Sequence, residues 1–283
     1  MKVKGRNIEE RFFKILMIIS ALIVVGSFFL IVGTIVVKGA PAMSWDLITK
    51  VPSGGFFLGG EGGVLNAIIG SFYIAAGSSL LALLISLPVV IYINTYLRKR
   101  SWLGNLTRMG YDVLFGIPSI VYGAFGFTLM MYLGMRASLL GGIIAVTLLV
   151  IPIMIRTMDE VIRTVPNELY EATFSLGATR LETAWVILKQ VAPGIMTAIL
   201  LAFGRGIGDV ASVMFTAGFS DNIPTSMEDP TATLPLAIFN QLSSPYEGVR
   251  AKAYASALIL TIFVLIISVL ARLLSKKFSK NKV

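Results

Sequence analysis

Six stretches of this sequence stay apolar for about 18 residues or more, long enough to cross the hydrocarbon core of a bilayer as helices. They are residues 12–37, 64–97, 110–134, 138–155, 191–219 and 251–274. No water is present in that core to satisfy backbone N–H and C=O groups, so each run is expected to satisfy its own as a helix. The fold class expected is an all-α integral membrane protein with six transmembrane helices. The second run exceeds one crossing, which predicts tilt or extension past the headgroups. Pro88, Pro118, Pro152 and Pro193 lie inside or at the ends of runs, where neighbouring helices can re-satisfy freed backbone groups.

Composition agrees and removes several chemistries. Only 14% of residues are charged, against about a quarter in a soluble domain, so the polar surface cannot clothe a water-soluble body of this size. Histidine and cysteine are absent. That excludes Ser-His-Asp and Cys-His nucleophiles, thiolate or imidazole metal sites, haem, iron–sulfur ligation and disulfides. No cluster of polar residues suggests an acid–base or metal site, so no catalytic residue and no metal ligand is expected.

The net charge of +9 comes from where the basic residues sit. Eighteen of the 24 Lys and Arg fall in the N-terminus, the loops after runs two and four, and the C-terminus. The positive-inside rule therefore predicts both termini in the cytoplasm, in agreement with an even number of spans. The basic balance is a topology signal, with no nucleic-acid partner implied. The first run is too long for a signal-peptide core and is read as a retained helix. The organisation expected is a cytoplasmic segment, first helix and outer loop at 1–62, a membrane core at 63–275, and a basic cytoplasmic tail at 276–283. The glycine-rich stretch 53–63 contains no phosphate-binding loop and reads as a mobile turn-rich connection.

The loop after run four, residues 156–190, is longer than a connection needs. Pro166 stands where a first helical turn starts, with Glu168 and Glu171 near its positive end. Leu169, Ala172, Thr173 and Leu176 share one face at helical spacing. Gly177 is placed to end the helix in a left-handed cap, and Thr179-Arg180-Leu181-Glu182 reads as a capping box opening a second helix toward run five. Two readings of the first helix stand: a lever docked into a groove on a cytoplasmic partner, or an amphipathic helix lying on the bilayer or its own bundle.

The segment Glu171-Ala172-Thr173, with Gly177 four residues on and Ile187-Leu188 beyond, resembles the EAA loop of bacterial ABC importer permeases. Residues 63–71, Gly116 to Gly123, Pro152 to Thr157 and Thr231-Ala232-Thr233-Leu234-Pro235 resemble the phosphate-specific transport (Pst) permeases. The last of these, with Gly194-Ile195-Met196-Thr197 and residues 205–211, resembles the PstA type more than the PstC type. Departures are Thr173 at the third EAA position, Asp209 where a glutamate is usual, and Asn94-Thr95-Tyr96 for Asn-Glu-Tyr.

The resemblance implies a type I ABC importer (MetI-like) architecture in a prokaryotic cytoplasmic membrane. It implies a PstC-type permease partner, two copies of a PstB-type ATPase, and a PstS-type protein delivering phosphate. ATP and Mg are used by the ATPase subunits, with no cofactor held by this chain. The coupling helix it implies is built on Glu168, Leu169, Glu171, Ala172, Leu176 and Gly177.

Arg205 falls midway along run five, with Asp209 four residues on and Gly204, Gly206 and Gly208 between and beside them. A charge at bilayer mid-depth costs at least about 2.5 kcal/mol and calls for a partner or a wet cavity. The pair either neutralises itself for assembly or lines the translocation path, with Arg205 offering a forked donor to a phosphate oxyanion and Asp209 tempering it. Ser119, next to Pro118, is a further path candidate or a hydroxyl bonded back to its own helix. Rival functions are a permease for another solute, the PstC-type partner, and an ion-coupled secondary transporter, which would need no ATPase contact.

Overall fold

Small residues hold the centre of the molecule together. The computed structural model describes residues 2–53, 61–97 and 101–279. The chain order is α1 (Lys2–Gly39), a 3-10 turn (Ala40–Ala42), α2 (Trp45–Thr49) and α3 (Leu65–Ile91), which runs into a π-helical turn (Tyr92–Tyr96). There follow α4 (Trp102–Phe115), α5 (Ser119–Tyr132), α6 (Leu139–Ile162), α7 (Asn167–Ser175), α8 (Arg180–Ile207), α9 (Leu234–Leu242) and α10 (Glu247–Ser279). Most of the glycine-rich stretch expected to be mobile lies outside the described residues, as do the basic residues 98–100 and 280–283.

On α3 the buried face reads Ala67, Ser71, Ala75, Ser78, Ala82 and Ser86 at near-helical spacing. It meets α6, whose Val146, Val150, Met154 and Met158 are fully buried. Between apolar helices in lipid there is no water to expel, so close packing by small residues supplies the attraction. α8 joins the same contact through Ala198, Ala202 and Gly206. A Cβ on Gly206 would stand 3.2 Å from the Val146 side chain and 3.4 Å from Ser78 Oγ. α1 is exposed along nearly all its apolar length and touches the bundle near Gly39, which packs on the Tyr254 backbone of α10.

Among the described residues, five helices are long and apolar enough to cross a membrane, six if α4 and α5 count as one broken span. Two expectations change. The third run is not a single helix: α4 and α5 meet at 100°. Pro118 cannot donate and disfavours helical geometry at Ile117, and Tyr122 Oη donates to Leu114 O at 2.7 Å across the break.

The fifth run is not a span to residue 219. α8 begins at Arg180, inside the loop, continues unbroken through Pro193 and stops at Ile207. Residues 208–233 then thread between α3, α5 and α6; a Cβ on Gly70 would lie 2.1 Å from Ala232 O, and one on Gly123 2.6 Å from Ala211 O. Irregular backbone survives at such depth only when protein satisfies it. Here the carbonyls of Thr216, Asp229 and Met227 accept from Ser138 N, Leu139 N and Leu140 N at 2.8–2.9 Å, so the threaded segment caps the first turn of α6. A run that threads protein and a run that faces lipid are equally apolar, and a length count cannot separate them.

Candidate coupling and translocation sites

The α7 helix is fixed at both ends by the local chemistry its sequence carries. Pro166 sits at the N-cap, in extended geometry, one residue before the helix proper. At the other end Gly177 has φ +78°. Gly177 N donates to Phe174 O at 3.0 Å and Ala178 N to Thr173 O at 3.1 Å, the paired bonds of a Schellman turn. Two residues later Thr179 Oγ1 accepts from Glu182 N while a Glu182 carboxylate oxygen accepts from Thr179 N at 2.7 Å, closing the capping box.

The apolar residues of α7 do not share one role. Leu169 and Tyr170 pack against the chain's own core and Thr173 is buried beside them; burial pushes the Tyr170 phenol pKa up. Glu168, Glu171 and Ala172 face outward, and Leu176 projects from the tip with 88% of its surface exposed. Beneath α7 a groove of about 700 Å3 is lined by Asn94, Arg108, Arg163, Tyr170, Glu171 and Phe174, among others.

Arg205 lies in the last turn of α8, not midway along a span. That end of the helix favours a cation. The guanidinium stands 3.5 Å from Asp209 Oδ1, with the Arg205 side chain 46% exposed and Asp209 almost wholly buried. The second Asp209 oxygen accepts from Ser212 N at 2.8 Å and from Ser212 Oγ. The carboxylate therefore caps the turn that starts the threaded segment and holds one edge of Arg205, leaving the rest of the fork open.

Ser119 is the first residue of α5 and half-buried. It lies one helical turn before Gly123, where an added Cβ would stand 2.6 Å from Ala211 O and 2.9 Å from Ser212 Cα, beside the turn that Asp209 caps. Arg205 itself is some 25 residues up α8 from the α7 end, roughly 38 Å at helical rise. Ser119 is thus linked to the Asp209–Arg205 pair through Gly123 and Ser212.

A feature absent from the sequence reading is Asp159, which is 1% exposed near the end of α6. It accepts from Asn94 Nδ2 at 2.7 Å, Tyr111 Oη at 2.7 Å and Arg108 Nε at 3.0 Å, with Arg163 Nε at 3.5 Å. A carboxylate pair, Asp159-Glu160, at the end of an apolar helix was its only signal. Its donors come from the π-turn, α4 and α6, up to 65 residues away in sequence.

Residues 86–280 match the family model described as "Binding-protein-dependent transport system inner membrane component". The chain is 35% identical over 258 residues to the phosphate transport system permease protein PstA of Haemophilus influenzae, covering 89% of each. It is 37% identical over 246 residues to the protein of that name from Xylella fastidiosa, covering 85% of this chain and 83% of that one. The chain belongs to the binding-protein-dependent permease family, in its PstA branch. Among solved structures, the inward-facing MetNI methionine ABC transporter superposes with a TM-score of 0.60 at 18% identity, covering 76% of this chain and 95% of that one. That likeness carries the fold, a MetI-type permease core; the family match makes the chain a multi-pass membrane protein of the kind that serves as the non-catalytic membrane subunit of an ABC transporter.

Proposed function

We propose that this permease is the PstA-type half of an ATP-driven importer of inorganic phosphate, and that α7 is the lever through which a separate ATPase moves the spans. The observation that carries the reading is the construction of α7: a helix stapled to the core by Leu169 and Tyr170, turned sharply at Gly177, and offering Leu176 to whatever lies beyond. An apolar tip left in water is an anchor for a partner's pocket. Because α8 runs without a break from the capping box to Ile207, a push on α7 reaches the far end of a transmembrane helix.

In this reading both termini and α7 are cytoplasmic, as the basic residues predict. A PstC-type permease completes the pathway, two PstB-type ATPase subunits use ATP and Mg, and a PstS-type protein delivers phosphate on the other side. Arg205 meets the anion at the delivery end of α8. Its half-exposed fork supplies donors suited to a phosphate oxyanion, and the bond to Asp209 keeps the attraction weak enough for release. Ser119, one turn from the Gly123–Ser212 contact, is a further path candidate.

The deciding experiment is uptake of labelled phosphate into proteoliposomes holding the assembled transporter, with and without a large excess of sulfate. ATP-dependent uptake that sulfate does not suppress is expected. Suppression by sulfate would transfer the reading to another anion, and accumulation without the ATPase would end it.

A further inference from the structure

The turn that follows α7 has a second attachment, separate from α8. Arg180, the first residue of α8, reaches back 84 residues, where its Nη1 donates to Tyr96 O at 2.9 Å, and its guanidinium lies 5.7 Å from the Tyr96 ring centroid. Tyr96 ends the π-helical turn that finishes α3, in which Leu97 N donates to Tyr92 O at 3.2 Å. A π-turn is a wide, marginal loop that persists where side chains hold it and is frequent at functional positions.

The holding groups are those around Asp159. Asn94, in the middle of the π-turn, donates from Nδ2 to both Val90 O and Asp159 Oδ1. Arg108 of α4 bridges the same pair, with Nη2 3.3 Å from Asp159 Oδ1 and 3.4 Å from Asn94 Oδ1. Tyr111 adds a third donor side chain. A buried carboxylate so placed cannot part from its cations without leaving a bare charge, so the groups move together. The groove beneath α7 leaves space between that helix and the cluster. Arg180 to Tyr96 is a direct link from the α7–α8 turn to this network.

We infer that Asp159 is a positioning residue for coupling: it locks the π-turn to α4 and α6, so that motion at the α7–α8 turn, arriving through Arg180 and Tyr96, carries α3, α4 and α6 together. This rests on the reading of α7 as the ATPase lever. It assigns the force two routes, one along α8 and one through the π-turn.

The test uses the complete reconstituted transporter and reads phosphate moved per ATP hydrolysed, a ratio that a purely structural role would leave alone. Asp159→Asn keeps the shape but removes the charge. It is expected to assemble, hydrolyse ATP and lower the ratio at least tenfold, with partial recovery in Asp159→Glu. Arg180→Gln, at an exposed position, is expected to lower the ratio similarly, and the double variant to be no worse than the worse single one. A wild-type ratio in Arg180→Gln overturns the proposal even if Asp159→Asn does not assemble. So does a lowered melting midpoint in Asp159→Asn with the ratio unchanged. Leu176→Asp separates the two claims: if it stays coupled, the lever reading fails, whereas an uncoupled Leu176→Asp beside a coupled Asp159→Asn sinks only the relay.

Discussion

Arg205 and Asp209 are four residues apart, yet they are not neighbours on one helix face, because the helix stops between them. Asp209 divides its two oxygens between Arg205 and the Ser212 turn. Arg205→Gln removes the charge and shortens the side chain but keeps a polar donor at a half-exposed position, so the transporter should assemble while phosphate uptake falls to background; normal uptake by an assembled variant would remove Arg205 from the pathway. On the same side of the bundle, Asp229 accepts from the backbone N–H groups of Thr225 and Ser226, which hold its carboxyl pKa down at about 2, from 3.8. A pKa depressed by folding gives stability that is complete above the unfolded value and is lost as pH falls through the folded one. The 225–229 turn should therefore keep its native NMR shifts down to about pH 4 and lose them toward pH 2. Asp229→Asn should abolish that transition.

At the scale of elements, the α7 unit is the part most legible in the primary structure. The Gly177 turn and the Thr179–Glu182 box are local devices whose partners lie within five residues, and both form as the spacing predicts. Gly177→Val forces a β-branched residue to φ +78°, at a cost of roughly 1–2 kcal/mol. Its expected effect is ATP hydrolysis that no longer follows phosphate delivery, measured as ATPase activity with and without the binding protein. The face that α7 presents was not legible. Leu169 and Leu176 obey the same periodicity, but one packs against the chain's buried core and the other is 88% exposed. At Gly70, Gly70→Ala drives a methyl into Ala232 O and should displace the threaded segment, lowering the melting midpoint in detergent by several degrees for a cost of about 1–3 kcal/mol.

For the whole molecule, the central fact is that α3, α6 and α8 share one contact through Ser78, Val146 and Gly206, while α1 stands largely apart. Stress applied at the α7 end therefore enters a close-packed unit, and close-packed interfaces shift as blocks rather than deform smoothly. The purified chain without its companion ATPase should bind into liposomes yet show no uphill phosphate accumulation. Uphill accumulation by the lone chain would replace the lever with an ion-coupled mechanism.

The six apolar runs, the basic asymmetry and the capped lever are properties of composition and short spacing, because lipid demands length and helix ends demand nearby donors and acceptors. Composition and short spacing were enough to specify an all-helical membrane protein with a doubly capped helical loop. Tertiary structure decided where apolar segments go when protein, not lipid, receives them: the break at Pro118, the end of α8 at Ile207 and the threading of 208–233. It also decided that Asp159, one carboxylate among fifteen, gathers donors from three elements. Long-range pairing of that kind depends on which helices pack together, and no spacing along the chain encodes it.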